Sequence, residues 1–270
     1  MRLLTPIVAI ALFVIGCGGR PARMGVLTDT VGVSKTRLGA SPEDVPGRQF
    51  LSPTSLRRAR RADVTGDERP EVMVEAGGGR GIEIRDLVGN RLSLIAATGY
   101  LTDFGAVPAS EGGKQNLVLY TYPNESGGGT FTIMTADERQ VARWDEDPAP
   151  ARFAVGLWND MAALFYLQGD VLVVRSPSGA PLARLTAPQG SRFETVQVGR
   201  MAGGLTIVLA SGSGYTPYHM ICVYDRGGEL VYQEVRDEHA FALEADAEQP
   251  AFVVVTRSSR WRYQAQPETR

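Results

Sequence analysis

Five short apolar runs punctuate the chain, each bounded by Gly, Pro, Asp or Asn and none extended at helical spacing. They are Val72-Met73-Val74, Leu117 to Tyr120, Ala162 to Leu167, Leu205 to Leu209 and Phe252 to Val255. With Val72, Val118, Leu164, Ile207 and Val253 as markers, the spacings are 46, 46, 43 and 46 residues. A period in the forties with this strand-like character marks a repeated four-stranded unit. Apolar residues occupy successive positions in each run, so both faces of that strand must be covered.

A lone sheet cannot cover both of its faces. A sheet standing between two others in a ring can, and ring closure also protects the edges. The pattern therefore predicts an all-β chain: a β-propeller of about five four-stranded blades. The units run roughly over residues 49–99, 100–148, 149–189, 190–238 and 239–266, within a domain of residues 25–270. After each central run come a loop, a second strand, a tight turn and a third strand. The turns in Ile84 to Gly89, Val174 to Gly179 and Val223 to Gly228 place Gly three residues after Asp or Ser, where a hairpin needs positive φ. Unit two has Thr135-Ala136-Asp137-Glu138-Arg139 there, with no Gly. Unit five stops after Trp261-Arg262-Tyr263-Gln264, one strand short. Gly25 to Leu38, with Val26, Val31 and Val33, is expected to supply that strand and latch the ring; the alternative is a plain tether.

The N-terminus carries a different signal. Arg2 is followed by the apolar stretch Leu3 to Ile15, too short to span a bilayer, and then by Gly16-Cys17. The four residues ending at Cys17 resemble the lipobox of bacterial lipoproteins; the alternative is an ordinary signal peptide with an incidental cysteine. The resemblance implies a signal peptide over residues 1–16, lipidation of Cys17 and a tether over residues 17–24. Two acyl chains would anchor the domain to a membrane surface without spanning it. Gly18 rather than Asp after the cysteine implies the outer membrane. The chain has only Cys17 and Cys222, so lipidation would leave no disulfide within the domain. Cys222, inside Met220 to Val223, reads as a buried small hydrophobe.

Loss of residues 1–16 moves the formal net charge only from −2 to −3. Nucleic acid is not an expected partner, because phosphate binding needs a concentrated basic surface. The local basic run Arg57-Arg58-Ala59-Arg60-Arg61 reads as a solvated strand edge, with an anionic headgroup contact as the alternative.

Unit one also holds Asp63-Val64-Thr65-Gly66-Asp67-Glu68-Arg69-Pro70-Glu71, running into Val72-Met73-Val74. This resembles the FG-GAP/VCBS repeats of β-propellers, which carry ligands at the first, third, fifth and last loop positions and a glycine fourth. The resemblance implies a Ca²⁺ site at Asp63, Thr65, Asp67 and Glu71, since hard oxygens at alternating positions can converge on one ion. Thr65 stands where the family has a stronger ligand, and Glu68 where it usually has a turn glycine. The alternative is a hydrogen-bonded turn in which Asp63 caps backbone amides.

No nucleophile–base pair, nucleophile elbow or zinc spacing is visible around Ser211 to Gly214, His219, His239 or Cys222. The expectation is therefore a protein that is not an enzyme: an envelope lipoprotein presenting a propeller face to a protein or glycan. The alternatives are a periplasmic propeller-type enzyme acting on glycans and a structural subunit of an envelope assembly. Loops that join each central strand to the next should share one face of the ring. Two of them mix glycine with tyrosine, and Tyr122, Asn124, Tyr215, Tyr218 and His219 are the expected contact residues.

Overall fold

The computed structural model describes residues 33–39, 59–109, 114–124, 126–188, 193, 198–201, 204–211, 219–236, 240–245, 251–256 and 259–265. These residues form twenty strands in five four-stranded antiparallel sheets. Sheet one is β2 (Ala59–Ala62), β3 (Glu71–Glu75), β4 (Gly81–Arg85) and β5 (Arg91–Ala96). Sheet two is β6 (Leu101–Pro108), β7 (Gln115–Thr121), β8 (Gly129–Met134) and β9 (Gln140–Glu146). Sheet three is β10 (Phe153–Trp158), β11 (Met161–Gln168), β12 (Val171–Arg175) and β13 (Pro181–Thr186). Sheet four is β14 (Val198–Arg200), β15 (Thr206–Ser211), β16 (His219–Tyr224) and β17 (Leu230–Arg236). Sheet five joins β18 (Ala240–Ala245), β19 (Ala251–Thr256) and β20 (Arg260–Ala265) to β1 (Val33–Gly39). Each repeat marker lies on the second strand of its sheet.

Packing between sheets explains why the second strands of sheets two and three are apolar on both faces. One cluster joins Met73, Ile82, Ile84 and Ile95 of sheet one to Phe104, Leu117 and Leu119 of sheet two. The next joins Val118, Tyr120 and Phe131 of sheet two to Leu164, Tyr166 and Val173 of sheet three. Similar clusters join sheets three and four through Phe165 and Cys222, and sheets four and five through Ile221 and Val254. Each large side chain buried in these layers contributes roughly 1.5–3 kcal/mol. First strands of successive sheets adjoin, β6 with β10, β10 with β14, and β14 with β18. Among the described residues no apolar cluster joins sheet one to sheet five. Leu92 and Leu94, which alternate with the buried Ile95 and so face away from sheet two, are 53% and 46% exposed.

The N-terminal strand completes the last sheet. β1 runs antiparallel to β20, from Val33 opposite Ala265 to Gly39 opposite Arg260. The Lys35 ammonium donates to Glu234 on β17 and lies 4.5 Å from the centre of the Trp261 ring. Tyr232 and Tyr263 each donate to the other oxygen of Glu234 at 2.9 Å. Burial alone would raise the Glu234 carboxyl, but these donors and the Lys35 charge hold it below its ordinary value.

Buried polar ties also link the sheets. Asp103 on β6 accepts from Arg60 of β2 at 3.1 Å and from the Phe153 amide of β10 at 3.4 Å, bridging three sheets. Arg60 also lies over the Phe104 and Phe153 rings. The expectation of a solvated edge at Arg57 to Arg61 is thereby corrected for Arg60, which a buried carboxylate draws inward, while Arg61 is exposed. Glu146, at the end of β9, accepts from the Tyr166 phenol and from Gln168 at 3.2 Å, and pairs with Arg175 at 2.7 Å. Cys222 is fully buried and free, its thiol pushed up to about 12 by burial.

The hairpin turns behave alike. Asp86–Asn90, Thr135–Arg139, Ser176–Ala180 and Asp225–Glu229 close with the same pair of backbone bonds. Their fourth residues have φ of 98° (Gly89), 63° (Glu138), 86° (Gly179) and 86° (Gly228). Unit two therefore makes the glycine turn without glycine, at a cost of about 1 kcal/mol. Replacement Glu138→Gly should raise stability by roughly 0.5 kcal/mol, since chain entropy offsets part of the relieved strain. Urea unfolding of the two proteins checks it, and a destabilised variant contradicts it.

Candidate functional site

Successive antiparallel strands alternate in direction, so each sheet puts its loops at two ends. One end carries the loop between the first two strands and the turn between the last two. The other carries the loop between the middle strands and the connection to the next sheet.

Loop 63–71 lies at the first end, between β2 and β3. Asp63 accepts the amide of Gly66 at 2.6 Å and that of Glu68 at 2.9 Å. Glu71 is buried and accepts the Val64 amide at 2.9 Å and the Thr65 hydroxyl at 2.8 Å. Asp67 accepts the Arg69 amide at 3.0 Å. The turn expected as the alternative to an ion site is present, with Asp63 capping amides. The same bonds aim the carboxylates inward, and one oxygen from each of Asp63, Asp67 and Glu71 lies within 4.8 Å of the others. A carboxylate oxygen that accepts one amide keeps a second lone pair, so this donor set can hold a divalent cation such as Ca²⁺. Thr65 keeps hydroxyl lone pairs beside it. Gly66 (φ 81°) is needed where the Lys114 chain crosses the loop, since an added Cβ would meet it at 2.4 Å. Glu68 takes φ 65°, the conformation for which the repeat family uses glycine.

At the opposite end, Tyr122 is 44% exposed in the loop between β7 and β8. Asn124 is committed to its own loop: its carbonyl oxygen accepts the Ser126 amide at 3.1 Å, and its amide group donates toward Gly129 and Thr130. His219 begins β16, but its side chain lies outside the described residues, as do Tyr215, Tyr218 and Cys17. The sequence reading missed Tyr100, 59% exposed in the connection between sheets one and two. Its carbonyl accepts the Tyr122 amide at 3.0 Å, and its ring covers Gly79 so closely that a Cβ there would meet it at 2.7 Å. The signal was Gly99-Tyr100, the same Gly/Tyr mixture that marked the other loops.

No protein-family model matches the chain, so the comparisons give the FG-GAP/VCBS resemblance no support. No curated protein matches it either. Among solved structures, the chain is similar to BBS1N in complex with ARL6DN. Two such structures, soaked with lead and with mercury, show 15% and 16% identity. They cover 78% of this chain and 78% and 79% of theirs, with TM-scores of 0.42 and 0.45. It is also similar to XC5397 from Xanthomonas campestris, described as a gluconolactonase, at 14% identity over 73% of this chain and 69% of that one, TM-score 0.48. The fold is β-propeller-like by its own sheets, and that architecture serves binding and catalysis alike. The expectation that the protein is not an enzyme is corrected: oxygens of Asp63, Asp67 and Glu71 lie close enough together to hold a metal ion, and a bound metal can serve catalysis, so a firm exclusion of enzymatic activity does not stand.

Proposed function

We propose that the chain is a binding and scaffolding module of the cell envelope, closed into a ring between sheets one and five. Its loop face around Tyr122 would meet a protein or glycan partner. The observation that carries this reading is the exposed Tyr122, fixed to Tyr100 across two sheets, because tyrosine gives contact area at little entropic cost. Once a partner is in hand, Tyr122→Ala should weaken its binding. A partner that responds only to substitutions in the opposite loops, such as Arg69→Ala, overturns the assignment of the face. Diacylation at Cys17 would hold the module on an outer-membrane leaflet. The variant Cys17→Ser should then leave the membrane fraction, and unchanged retention contradicts the anchor.

Loop 63–71 would bind Ca²⁺ as a brace for its hairpin. Millimolar calcium should raise the Tm, because an ion that binds only the folded state stabilises it, by about 2.7 kcal/mol at a hundred times its Kd. The double variant Asp63→Ala, Asp67→Ala should lose the response. Equal Tm in chelator and in calcium leaves the loop as a hydrogen-bonded turn. A second reading, a metal-assisted enzyme acting on glycans, is favoured by the same triad: a cation there would supply Lewis acidity, with Asp63, Asp67 and Glu71 holding it. Calcium-dependent glycan cleavage lost in Asp67→Ala would establish it.

A further inference from the structure

We propose that the peptide bond between Asp147 and Pro148 is a self-processing site, cut by the Asp147 carboxyl while Gln168 activates the carbonyl. The products are the chain up to residue 147 and the chain from residue 148 onward, which stay folded together. Neither a partner nor a metal ion is needed.

The residue pair has the chemistry for it. Asp-Pro occurs once in the sequence, in the connection between β9 of sheet two and β10 of sheet three. An aspartate carboxyl oxygen can close a five-membered ring on its own peptide carbonyl carbon, and such an intramolecular attack gains a large proximity advantage. Proline supplies a ring nitrogen that carries no N–H and departs as a basic secondary amine. Both residues are exposed, so water reaches the bond. Exposed connections are also where a cut in the chain is best tolerated.

The fold adds a donor at the reacting carbonyl. Gln168, the last residue of β11, donates through Nε2 to the Asp147 carbonyl oxygen at 3.2 Å. The same nitrogen donates to the Glu146 carboxylate at 3.2 Å. Glu146 is buried and is itself held by the Tyr166 phenol and by Arg175 at 2.7 Å. The amide of Gln168 is thus fixed against the bond before any reaction begins. Attack turns the Asp147 carbonyl oxygen into an oxyanion, and a donor already in place strengthens as that charge develops.

The step balances without a further reactant except water. A bond forms between a carboxyl oxygen of Asp147 and its carbonyl carbon, and the bond from that carbon to the Pro148 nitrogen breaks. The carboxyl proton passes to the departing nitrogen. Water then opens the cyclic anhydride, leaving Asp147 as a chain end with two carboxyl groups.

Contacts across the cut hold the pieces together. Glu146 lies before it, while Tyr166, Gln168 and Arg175 lie after it. The Asp103 carboxylate accepts the Phe153 amide at 3.4 Å. Val118, Tyr120 and Phe131 pack against Leu164, Tyr166 and Val173 in one apolar cluster. The new chain ends would therefore open at the end of the molecule that carries Tyr122, with both sheets still in place.

The test incubates the full chain at about pH 5, where roughly a tenth of ordinary aspartate carboxyls carry the proton and folded proteins keep most of their stability. Mass spectrometry should find fragments that meet at residues 147 and 148, and size exclusion should still show one species at the uncut volume. Asp147→Ala should abolish the cut. Gln168→Met, which keeps the length of the side chain without its donor, should slow it about tenfold, less than the hundredfold or more lost with a donor in a water-excluded site. In urea, where Gln168 no longer faces the bond, parent and Gln168→Met should cleave alike, and about tenfold more slowly than the folded parent. A folded parent that cleaves no faster than the same chain in urea would overturn the proposal, whether or not Gln168→Met folds well. So would a folded Gln168→Met that cleaves at the parent rate. A rate that falls on dilution or with protease inhibitors would assign the cut to another molecule and overturn it as well.

Discussion

Deletion of residues 24–39 should lower the stability of the domain by about 4 kcal/mol or more, against the roughly 5–15 kcal/mol of a typical domain. The deletion removes β1, which pairs with β20 along six positions and places Val33 against the core between sheets four and five. It also strips Lys35 from the partly buried Glu234 and exposes the edge of β20. Urea unfolding should show the midpoint shift, and a truncated chain that unfolds with the parent would make the segment a tether. The Glu234 carboxyl adds a pH signature. Because its folded value lies below the ordinary one, its contribution is present above the unfolded value, about pH 4.3, and is lost as pH falls through the folded value. The parent should therefore weaken in acid more steeply than Lys35→Ala, which removes the closest donor.

Replacement Glu146→Ala should cost about 3 kcal/mol, at the lower end of what removing one partner of a buried ion pair costs. Glu146 is 3% exposed and Arg175 25% exposed, so the guanidinium left behind can recover part of its hydration. The Tyr166 phenol and Gln168 also lose their acceptor. Glu146→Gln, which keeps one acceptor, should cost less. Chemical denaturation should show a lower midpoint with an unchanged slope. An alanine variant within 0.5 kcal/mol of the parent would mean the pair contributes nothing net, as many exposed pairs do at about that level.

The fold was legible where burial imposes a pattern. A second strand squeezed between two neighbouring sheets, as β7 and β11 are, has to be apolar on both faces, and the same kind of run recurs at Val72, Val118, Leu164, Ile207 and Val253 at a near-constant spacing. The short fifth unit and the valines before residue 34 likewise pointed to the strand that β1 supplies. Loop 63–71 was legible because alternating acids are a local feature. Polar ties between sheets were not. Asp103, Glu146 and Glu234 meet partners 43, 20 and 29 residues away, and a single acid in a strand leaves no periodic trace. Arg60 was misread for the same reason, since its run looks solvated until Asp103 stands beside it. Glu138 shows the limit of turn chemistry: the closing bonds impose positive φ even where the residue resists it.

Ring closure between sheets one and five is the central claim, because a binding face needs its five loop sets in one fixed arrangement. Spin labels at Leu92→Cys and Thr36→Cys, in a Cys17→Ser background, test it most directly. Both positions are exposed on outer strands, and the buried Cys222, its thiol pushed up to about 12, should stay unlabelled. The pair Leu92→Cys with Val141→Cys, on the outer strands of sheets one and two, supplies the distance expected of neighbouring blades. A closed ring predicts a single narrow distance for the first pair, similar to that of the second. A long or broad distribution for sheets one and five, beside a narrow one for sheets one and two, would contradict the closed propeller.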